Sequence, residues 1–133
     1  MTNRAPDLFR QSERNLGHAR SARADGTHEW ACFAAQQAAE QALKAIYVAT
    51  GSVAWDHSIA SLLRDLPGGP APDTLLELGM ILDGYYIPTR YAESFTSGAP
   101  GDHFGDRQSK EAIEHASALV EFAREALAEQ DRG

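Results

Sequence analysis

The 133-residue sequence has one cysteine, two lysines and no apolar run long enough to span a membrane. Cys32 cannot form an internal disulfide. Its place in an apolar helical pattern predicts a buried, inert thiol, because a reactive thiol would need an exposed, cationic setting. A membrane span needs about 20 apolar residues. The first seven residues are polar, with no apolar signal region behind them, so we expect a cytoplasmic protein without membrane contact.

Positive charge is also scarce. Lys and Arg together number 12 against 19 Asp and Glu, which gives a net charge of −7, and no basic run occurs. Proteins that bind nucleic acid mainly through its phosphates usually carry a basic stripe. The composition therefore disfavours non-specific nucleic-acid binding. It leaves open a local arginine site, or a site shared between two subunits.

Length and composition indicate one helical domain. A chain of 133 residues can bury a core without metal or disulfides, and 43% hydrophobic with 23% charged residues is ordinary for a globular domain. The many alanines favour helix. We expect a single domain over residues 1–133, with its core in about residues 7–128.

Hydrophobic periodicity predicts four long helices and one short helix. Apolar residues recur at three- and four-residue intervals, and no segment alternates with the period of a strand. The predicted helices cover about residues 7–24, 29–50, 58–66 (the short one), 73–86 and 106–129. With mostly short connections, they predict an all-α, antiparallel up-and-down bundle.

One connection is long. Residues 87–105 contain prolines and glycines that forbid a helix, and also Tyr, Phe, Arg and His side chains that make simple disorder a poor description. Loops of this length in compact domains tend to be functional or disordered. Two interpretations stay open: an ordered functional loop, or a loop that serves packing or a dimer contact.

Three stretches carry a resemblance to a known family. Residues 30–45 read WACFAAQQAAEQALKA, residues 55–63 read WDHSIASLL, and residues 82–91 read LDGYYIPTRY, followed by Gly98, Pro100 and the last helix. In this order and spacing the chain resembles prokaryotic HEPN-domain proteins over about residues 7–128. The YYIPTRY string is the most specific of the motifs.

The resemblance implies a helical bundle that forms a two-fold homodimer. It also implies a separate minimal nucleotidyltransferase chain as a partner, in a two-gene module such as a toxin–antitoxin pair. Catalytic members of the family are metal-independent ribonucleases with an Arg, four to six residues, then a His. Other members lack that motif and bind nucleotides or act as non-catalytic partners.

The catalytic spacing occurs once, from Arg23 to His28. Metal-independent RNA cleavage needs an acid or base and a cation for the phosphorane, which Arg and His supply. About one such match is expected by chance, and this one lies between the first two helices. The family's motif belongs near the loop before the last long helix. We therefore interpret the Arg23/His28 match as accidental.

Arg90 lies at the place that the family motif indicates, but its nearest downstream histidine is His103, beyond the expected gap. Only a loop that folds back would bring the two together. The catalytic candidates are therefore Arg90, His103 and His57. This departure from the catalytic spacing favours a protein that is non-catalytic or weakly catalytic.

Arg90 is flanked by Tyr86 and Tyr91, and these three residues are the predicted nucleotide-binding set. A guanidinium among aromatic rings can bind phosphate while a base stacks on the rings. In the alternative interpretation, Arg90 caps carbonyl groups of the preceding helix or pairs with an acid such as Asp83 or Glu93.

Polar residues near the second helix have structural interpretations beside functional ones. His57 is either a general base or nucleotide contact, or a residue that caps a helix or hydrogen-bonds in a turn. Lys44 stands four residues after Glu40, a spacing that favours an ion pair. Gln36 and Gln37 are expected to hydrogen-bond inside the bundle or across a dimer seam.

We predict no metal and no cofactor. Asp102, His103 and Asp106 lack the fixed His or Cys spacing of a metal site, and no phosphate-binding loop or dinucleotide motif occurs. Three functions follow in order of preference. They are a nucleotide- or RNA-binding partner of a nucleotidyltransferase, a metal-independent ribonuclease toxin with a displaced Arg/His pair, and a purely structural interaction module.

Overall fold

The computed structural model describes residues 3–132 and contains five α-helices there, with no strand in that range. Two single-turn 3₁₀ helices lie in the long connection, at Ala92–Ser94 and Pro100–Asp102. The prediction of an all-α bundle with one short helix is confirmed. The α-helices are α1 Ala5–Ala24, α2 His28–Ala49, α3 Ile59–Arg64, α4 Asp73–Asp83 and α5 Asp106–Arg132.

Helix α2 is the centre of the bundle and contacts each of the other four α-helices. Its sequence explains this position, because most of its faces are apolar and a helix of that kind must be covered all round. Its alanines are small enough to let neighbouring helices approach closely. Those fully buried, with 0% of their surface exposed, are Ala31, Ala35, Ala38, Ala39, Ala42 and Ala45.

Helix α5 covers α2 with the stripe that its sequence predicts. Ile113, Ala116, Val120 and Ala123 are all buried in the core cluster, whereas the intervening charged residues face outward. The spacing of three and four residues follows the helical period of 3.6, so the stripe stays on one side of the helix. Periodicity was therefore sufficient to orient this helix.

Helices α3 and α4 pack closely where α4 carries Gly79. A Cβ atom at this position would lie 2.9 Å from Leu63 Cδ1 and 3.0 Å from Ile59 Cγ2. The glycine therefore lets the two helices touch. The N-terminus of α3 is also tied to α4, because the Asp83 carboxylate accepts hydrogen bonds from the backbone N–H of Ile59 at 2.6 Å and of Ala60 at 3.1 Å.

The fourth helix ends at Asp83 and not at Tyr86, so the predicted end was three residues too late. Residues 84–90 continue as a series of turns. Two side chains hold these turns: Thr89 Oγ1 donates to the Tyr85 carbonyl at 2.6 Å, and Arg90 donates to the Tyr86 carbonyl. Gly84, a weak helix former, follows Asp83 directly, and the N–H groups of Tyr85 and Tyr86 donate to the carbonyls three residues earlier, so the α-helical pattern ends here.

The connection after these turns is packed against the bundle. Phe104 is 8% exposed and belongs to the core cluster, and Phe95 packs against that cluster. The rings of Phe95 and Phe104 are 6.2 Å apart in an edge-to-face arrangement. Within residues 3–132, no helix is long and apolar enough to cross a membrane.

Candidate functional site

Arg90 lies at the end of the turns that follow α4, with its guanidinium held at one point by a backbone carbonyl. Its Nε and Nη2 atoms donate to the Tyr86 carbonyl oxygen at 2.9 and 2.7 Å. The carbonyl belongs to the turn and not to α4 itself. Arg90 therefore does bind a carbonyl, as one of its two interpretations stated. The Asp83 carboxylate accepts from backbone N–H groups of α3. Within residues 3–132, no ion pair joins Arg90 to Asp83 or Glu93.

Three aromatic rings surround the guanidinium. The Arg90 Cζ atom lies 4.4 Å from the ring centroid of Phe33, 4.7 Å from that of Tyr86 and 5.1 Å from that of Tyr91. These distances are within the range of cation–π attraction. Phe33 comes from α2, whereas both tyrosines are close neighbours of Arg90 in sequence. The two predicted tyrosines thus do lie with Arg90, and Phe33 completes the set, which we call the arginine–aromatic cluster.

The cluster is open to solvent on one side. Tyr91 is 46% exposed, and Trp30, whose ring packs edge-on against Phe33 at 6.2 Å, is 48% exposed. Among the described residues, Nη1 of Arg90 has no hydrogen-bond partner. The guanidinium therefore keeps donor capacity while the Tyr86 carbonyl binds its Nε and Nη2 edge, an arrangement suited to an oxyanion next to a flat ring.

His57 adjoins the cluster from the segment that precedes α3. Its ring stacks on Tyr86 with the centroids 5.0 Å apart and the planes 17° apart. Its Nδ1 atom lies 3.0 Å from Glu40 Oε2. Because a carboxylate only accepts, Nδ1 carries the proton in this contact, and Nε2 is the ring nitrogen left for another partner. This is the arrangement in which a carboxylate orients a histidine.

Glu40 is 1% exposed, and its carboxylate has several partners. Lys44 Nζ lies 3.0 Å from Oε2, and Gln36 Nε2 donates to Oε1 at 3.1 Å. The Glu40–Lys44 pair predicted from the spacing is confirmed, and Gln36 is hydrogen-bonded inside the bundle. A buried carboxylate needs such compensation because its transfer out of water is costly. The pair with His57 was missed by sequence reasoning.

His103 does not contact the arginine–aromatic cluster but lies against other residues of its own loop. Its ring stacks on Phe95 at 3.9 Å with an interplanar angle of 4°, and its Nε2 atom lies 2.7 Å from the Ser97 carbonyl oxygen. Both partners belong to the same loop, so these contacts hold the loop together. Of the two candidate histidines, the structure brings His57, and not His103, into contact with the arginine–aromatic cluster.

The pair with the catalytic spacing, Arg23 and His28, has structural contacts. Arg23 Nη2 lies 3.1 Å from a carboxylate oxygen of Asp106, and His28 Nδ1 lies 2.9 Å from Ser109 Oγ. Both contacts tie the turn between α1 and α2 to the start of α5. The interpretation of this match as accidental stays a prediction.

Possible metal ligands and the Cys32 thiol are the remaining reactive groups of the described residues. No group of three or more His, Cys, Asp or Glu residues within 3–132 is arranged to hold a metal ion. Cys32 is fully buried, and burial, with a smaller contribution from the Glu29 carboxylate, raises the pKa of its thiol to about 12. A thiol in that state is a poor nucleophile, as predicted from the sequence.

A central alanine-rich helix, a short third helix and an arginine at the turn after the fourth define a class of small helical domains. The HEPN domain model matches residues 5–126, and the chain belongs to the HEPN domain family. No curated protein is significantly similar to the chain in sequence.

The solved structures that are similar to this chain include three with the following similarities. The crystal structure of TT1696 from Thermus thermophilus has 44% identity and a TM-score of 0.91, covering 94% of this chain and 99% of that one. ST0689, an archaeal HEPN homologue, has 33% identity and a TM-score of 0.78, covering 93% and 97%. The HEPN domain protein TM0613 from Thermotoga maritima has 26% identity and a TM-score of 0.73, covering 92% and 98%.

Proposed function

We propose that this HEPN protein binds a nucleotide or the end of a single-stranded RNA at the arginine–aromatic cluster. In this proposal it acts in the cytoplasm as a homodimer, with a separate small nucleotidyltransferase chain in a two-gene, toxin–antitoxin-like module. The observation that carries the proposal is the guanidinium of Arg90, held by the Tyr86 carbonyl among three rings and open on one side.

The chemistry of the cluster fits a nucleotide better than a bare anion. Phosphate takes hydrogen bonds from a guanidinium, and bases stack on aromatic rings and on arginine planes. The half-exposed Tyr91 and Trp30 supply ring surface beside Arg90. A ligand with both a phosphate and a base would use the charge and the rings together.

The charge balance favours a small ligand over a long one. With a net charge of −7, the chain as a whole repels a polyanion, so phosphate attraction must be local. Lys44, the nearest lysine in the contact network, is already paired with Glu40. Arg90 is therefore the cation that we assign to the phosphate, which limits binding to about one nucleotide of a strand.

Calorimetric titration with AMP tests this assignment. Wild type should bind, Arg90→Ala should lose binding, and Arg90→Lys should weaken it, because an ammonium is a point charge without the planar fork. Arg124→Ala is the matched control: Arg124 also lies over an aromatic ring, 5.0 Å from that of Phe9, outside the cluster. Equal affinity of wild type and Arg90→Ala would contradict the assignment.

The homodimer and the nucleotidyltransferase partner rest on the family resemblance and on exposed apolar side chains. Met80 and Ile81 of α4 and Ile87 in the following turn are 46–48% exposed. Sedimentation velocity should give twice the chain mass of 14.4 kDa. Co-expression with the product of an adjacent nucleotidyltransferase gene should yield a complex. A monomer in solution, or a gene without that neighbour, would count against these parts of the proposal.

A second candidate function is metal-independent RNA cleavage. The observation that favours it is the Glu40–His57 contact, since an oriented imidazole adjoins Tyr86, the ring that Arg90 also contacts. Such an imidazole can act as general base or acid, and the guanidinium can stabilise the phosphorane. This candidate uses His57 in place of the histidine of the family motif.

Cleavage of a mixed-sequence RNA in EDTA separates the two functions. A ribonuclease should cleave it, and both Arg90→Ala and His57→Ala should abolish cleavage, while His103→Ala should not. RNA that stays intact with all four proteins supports the binding function. If the protein neither cleaves RNA nor binds AMP, the third candidate remains, a purely structural interaction module.

A further inference from the structure

A groove between α1 and α2 adjoins the arginine–aromatic cluster. It has a volume of about 320 Å³ and is lined by Asn15, His18, Trp30, Phe33, Ala34 and Gln37. That volume lies at the lower end of the range for small-molecule sites. Phe33 forms part of the groove wall and also lies under the guanidinium of Arg90, 4.4 Å from its Cζ atom. The groove and Arg90 therefore share one ring.

The groove contains aromatic surface that is not buried in the core. Trp30 is 48% exposed, and its ring meets Phe33 edge to face, at 81° between the planes. About half of the Trp30 surface is therefore accessible to a ligand. A flat π-surface beside a cation is a surface on which an unpaired base can stack.

Among residues 3–132, two amide side chains in the groove each keep one hydrogen-bonding group without a partner. Asn15 Oδ1 accepts from Gln11 Nε2 at 2.9 Å, which leaves the Asn15 amide NH₂ as a donor. Gln37 Nε2 donates to Gln36 Oε1 at 2.6 Å, which leaves Gln37 Oε1 as an acceptor. The edges of nucleobases carry both donors and acceptors. The groove can therefore hydrogen-bond to the edge of a base as well as stack against its face.

We infer that this groove is a base-binding subsite. The base of one nucleotide stacks on Trp30 and its edge meets Asn15 and Gln37, while its phosphate is bound by Arg90 beyond the Phe33 ring. This inference rests on the proposed function and names its ligand class: a nucleoside monophosphate or an unpaired nucleotide of single-stranded RNA. A base paired in a duplex has neither a free face nor a free edge for the groove.

Tryptophan fluorescence tests the inference, because the chain has only two tryptophans. Trp55 is 85% exposed, so Trp55→Phe should fold normally and leaves Trp30 as the only tryptophan fluorophore. AMP should quench this variant with a saturating curve whose midpoint matches the calorimetric Kd. Ribose 5-phosphate, which has the phosphate and sugar but no base, should bind more weakly and leave the fluorescence unchanged.

Substitutions give a second readout. Trp30→Ala should raise the Kd for AMP about tenfold or more, the loss expected for one base–aromatic stack, and should leave the Kd for ribose 5-phosphate unchanged. Gln37→Ala should raise the Kd for AMP by a smaller factor. This variant tests the subsite if Trp30→Ala does not fold. Trp55→Ala is the matched tryptophan control and should change neither Kd.

The outcomes distinguish the subsite from the proposed function. If AMP binds in an Arg90-dependent way without quenching Trp30, and Trp30→Ala binds as wild type does, the subsite is overturned and the proposed function stands. If AMP quenches Trp30 equally well in the Arg90→Ala background, the subsite stands and the assignment of Arg90 is wrong. If neither AMP nor ribose 5-phosphate binds, both are overturned.

Discussion

The imidazole of His57 and the carboxylate of Glu40 are joined by a 3.0 Å contact between Nδ1 and Oε2, although Glu40 is 1% exposed and His57 lies in an exposed segment. The buried Glu40 carboxylate thus connects the core of the bundle to His57 at the edge of the candidate site. Since the His57 ring also stacks on Tyr86, a substitution at Glu40 is expected to alter the position of His57 and therefore the packing of the arginine–aromatic cluster.

Glu40→Gln should destabilise the protein by about 3–5 kcal/mol, because it leaves Lys44, a mostly buried cation, without its charged partner. Urea denaturation followed by circular dichroism measures this loss. Glu111→Gln is the control, since its partner Arg107 has 92% of its side chain exposed, and surface pairs of this kind contribute about 0–1 kcal/mol. Adding Lys44→Met to Glu40→Gln should restore part of the stability. An unchanged denaturation midpoint in Glu40→Gln would show that the buried pair contributes little.

Two glycine-to-alanine substitutions should change stability in opposite directions. Gly79→Ala puts a Cβ 2.9 Å from Leu63 Cδ1, and the resulting overpacking, which costs about 1–3 kcal/mol, should outweigh a gain of about 1 kcal/mol in helix propensity. Gly17→Ala, within α1 and with nothing within 4 Å of its new Cβ, should stabilise by about 0.5–1 kcal/mol. Thermal unfolding of both variants measures the difference. Equal shifts would mean that the α3–α4 contact tolerates a methyl group.

Cys32 should resist thiol reagents in the native protein at pH 8 and react rapidly once the chain is unfolded in guanidinium chloride. The reason is burial, which raises the pKa of its thiol to about 12, well above the roughly 8.5 of an unfolded cysteine. Because the chain has one cysteine, the colour released from a disulfide reagent reports this residue alone. Rapid native labelling would contradict the buried setting.

The same raised pKa predicts a pH dependence of stability. Between about pH 8.5 and 12 the unfolded chain loses the Cys32 proton and the folded chain keeps it, so the free energy of unfolding should fall as pH rises through this window. Below that window the thiol should contribute no pH dependence. Cys32→Ala should reduce the alkaline fall in the free energy of unfolding. Identical pH profiles for wild type and variant would show that the Cys32 thiol does not cause this fall.

Salt dependence should be weak if one arginine carries the phosphate contact. For single-stranded RNA, the slope of log K against log salt is about −0.7 for each phosphate neutralised, so a slope of about −1 or smaller in magnitude is expected. Anisotropy titrations of a labelled single-stranded hexanucleotide at several KCl concentrations give this slope. A slope of about −3 or steeper would indicate a wider basic surface, which the net charge of −7 makes unexpected.

The parts of the fold that could be predicted are those set by local sequence. The apolar spacing in α5 places Ile113, Ala116 and Val120 in the core as expected, and the four-residue spacing identified the Glu40–Lys44 pair. The neighbours of Arg90 in sequence, Tyr86 and Tyr91, are also its neighbours in space. In each case the contact depends on a few residues of regular or tightly turned chain.

The contacts that could not be predicted join distant segments. Phe33 meets Arg90, and His57 meets Glu40, only because α2 packs beside the turns after α4 and the segment before α3. No sequence pattern specifies those alignments. The one signal was the presence of Gln36 and Glu40, four residues apart, on a helix that is apolar on most of its faces. Buried polar residues require partners, but the sequence did not show which partners.

The most direct measurement is the anisotropy over time of a fluorescein-labelled single-stranded RNA hexanucleotide in EDTA, with wild type and Arg90→Ala. Binding at the arginine–aromatic cluster predicts a rise with wild type that then stays constant, and little or no rise with Arg90→Ala. Arg124→Ala should behave as wild type does. Equal rises with wild type and Arg90→Ala would contradict the proposed site. A rise that later decays with wild type and with Arg124→Ala would show that the protein cleaves RNA.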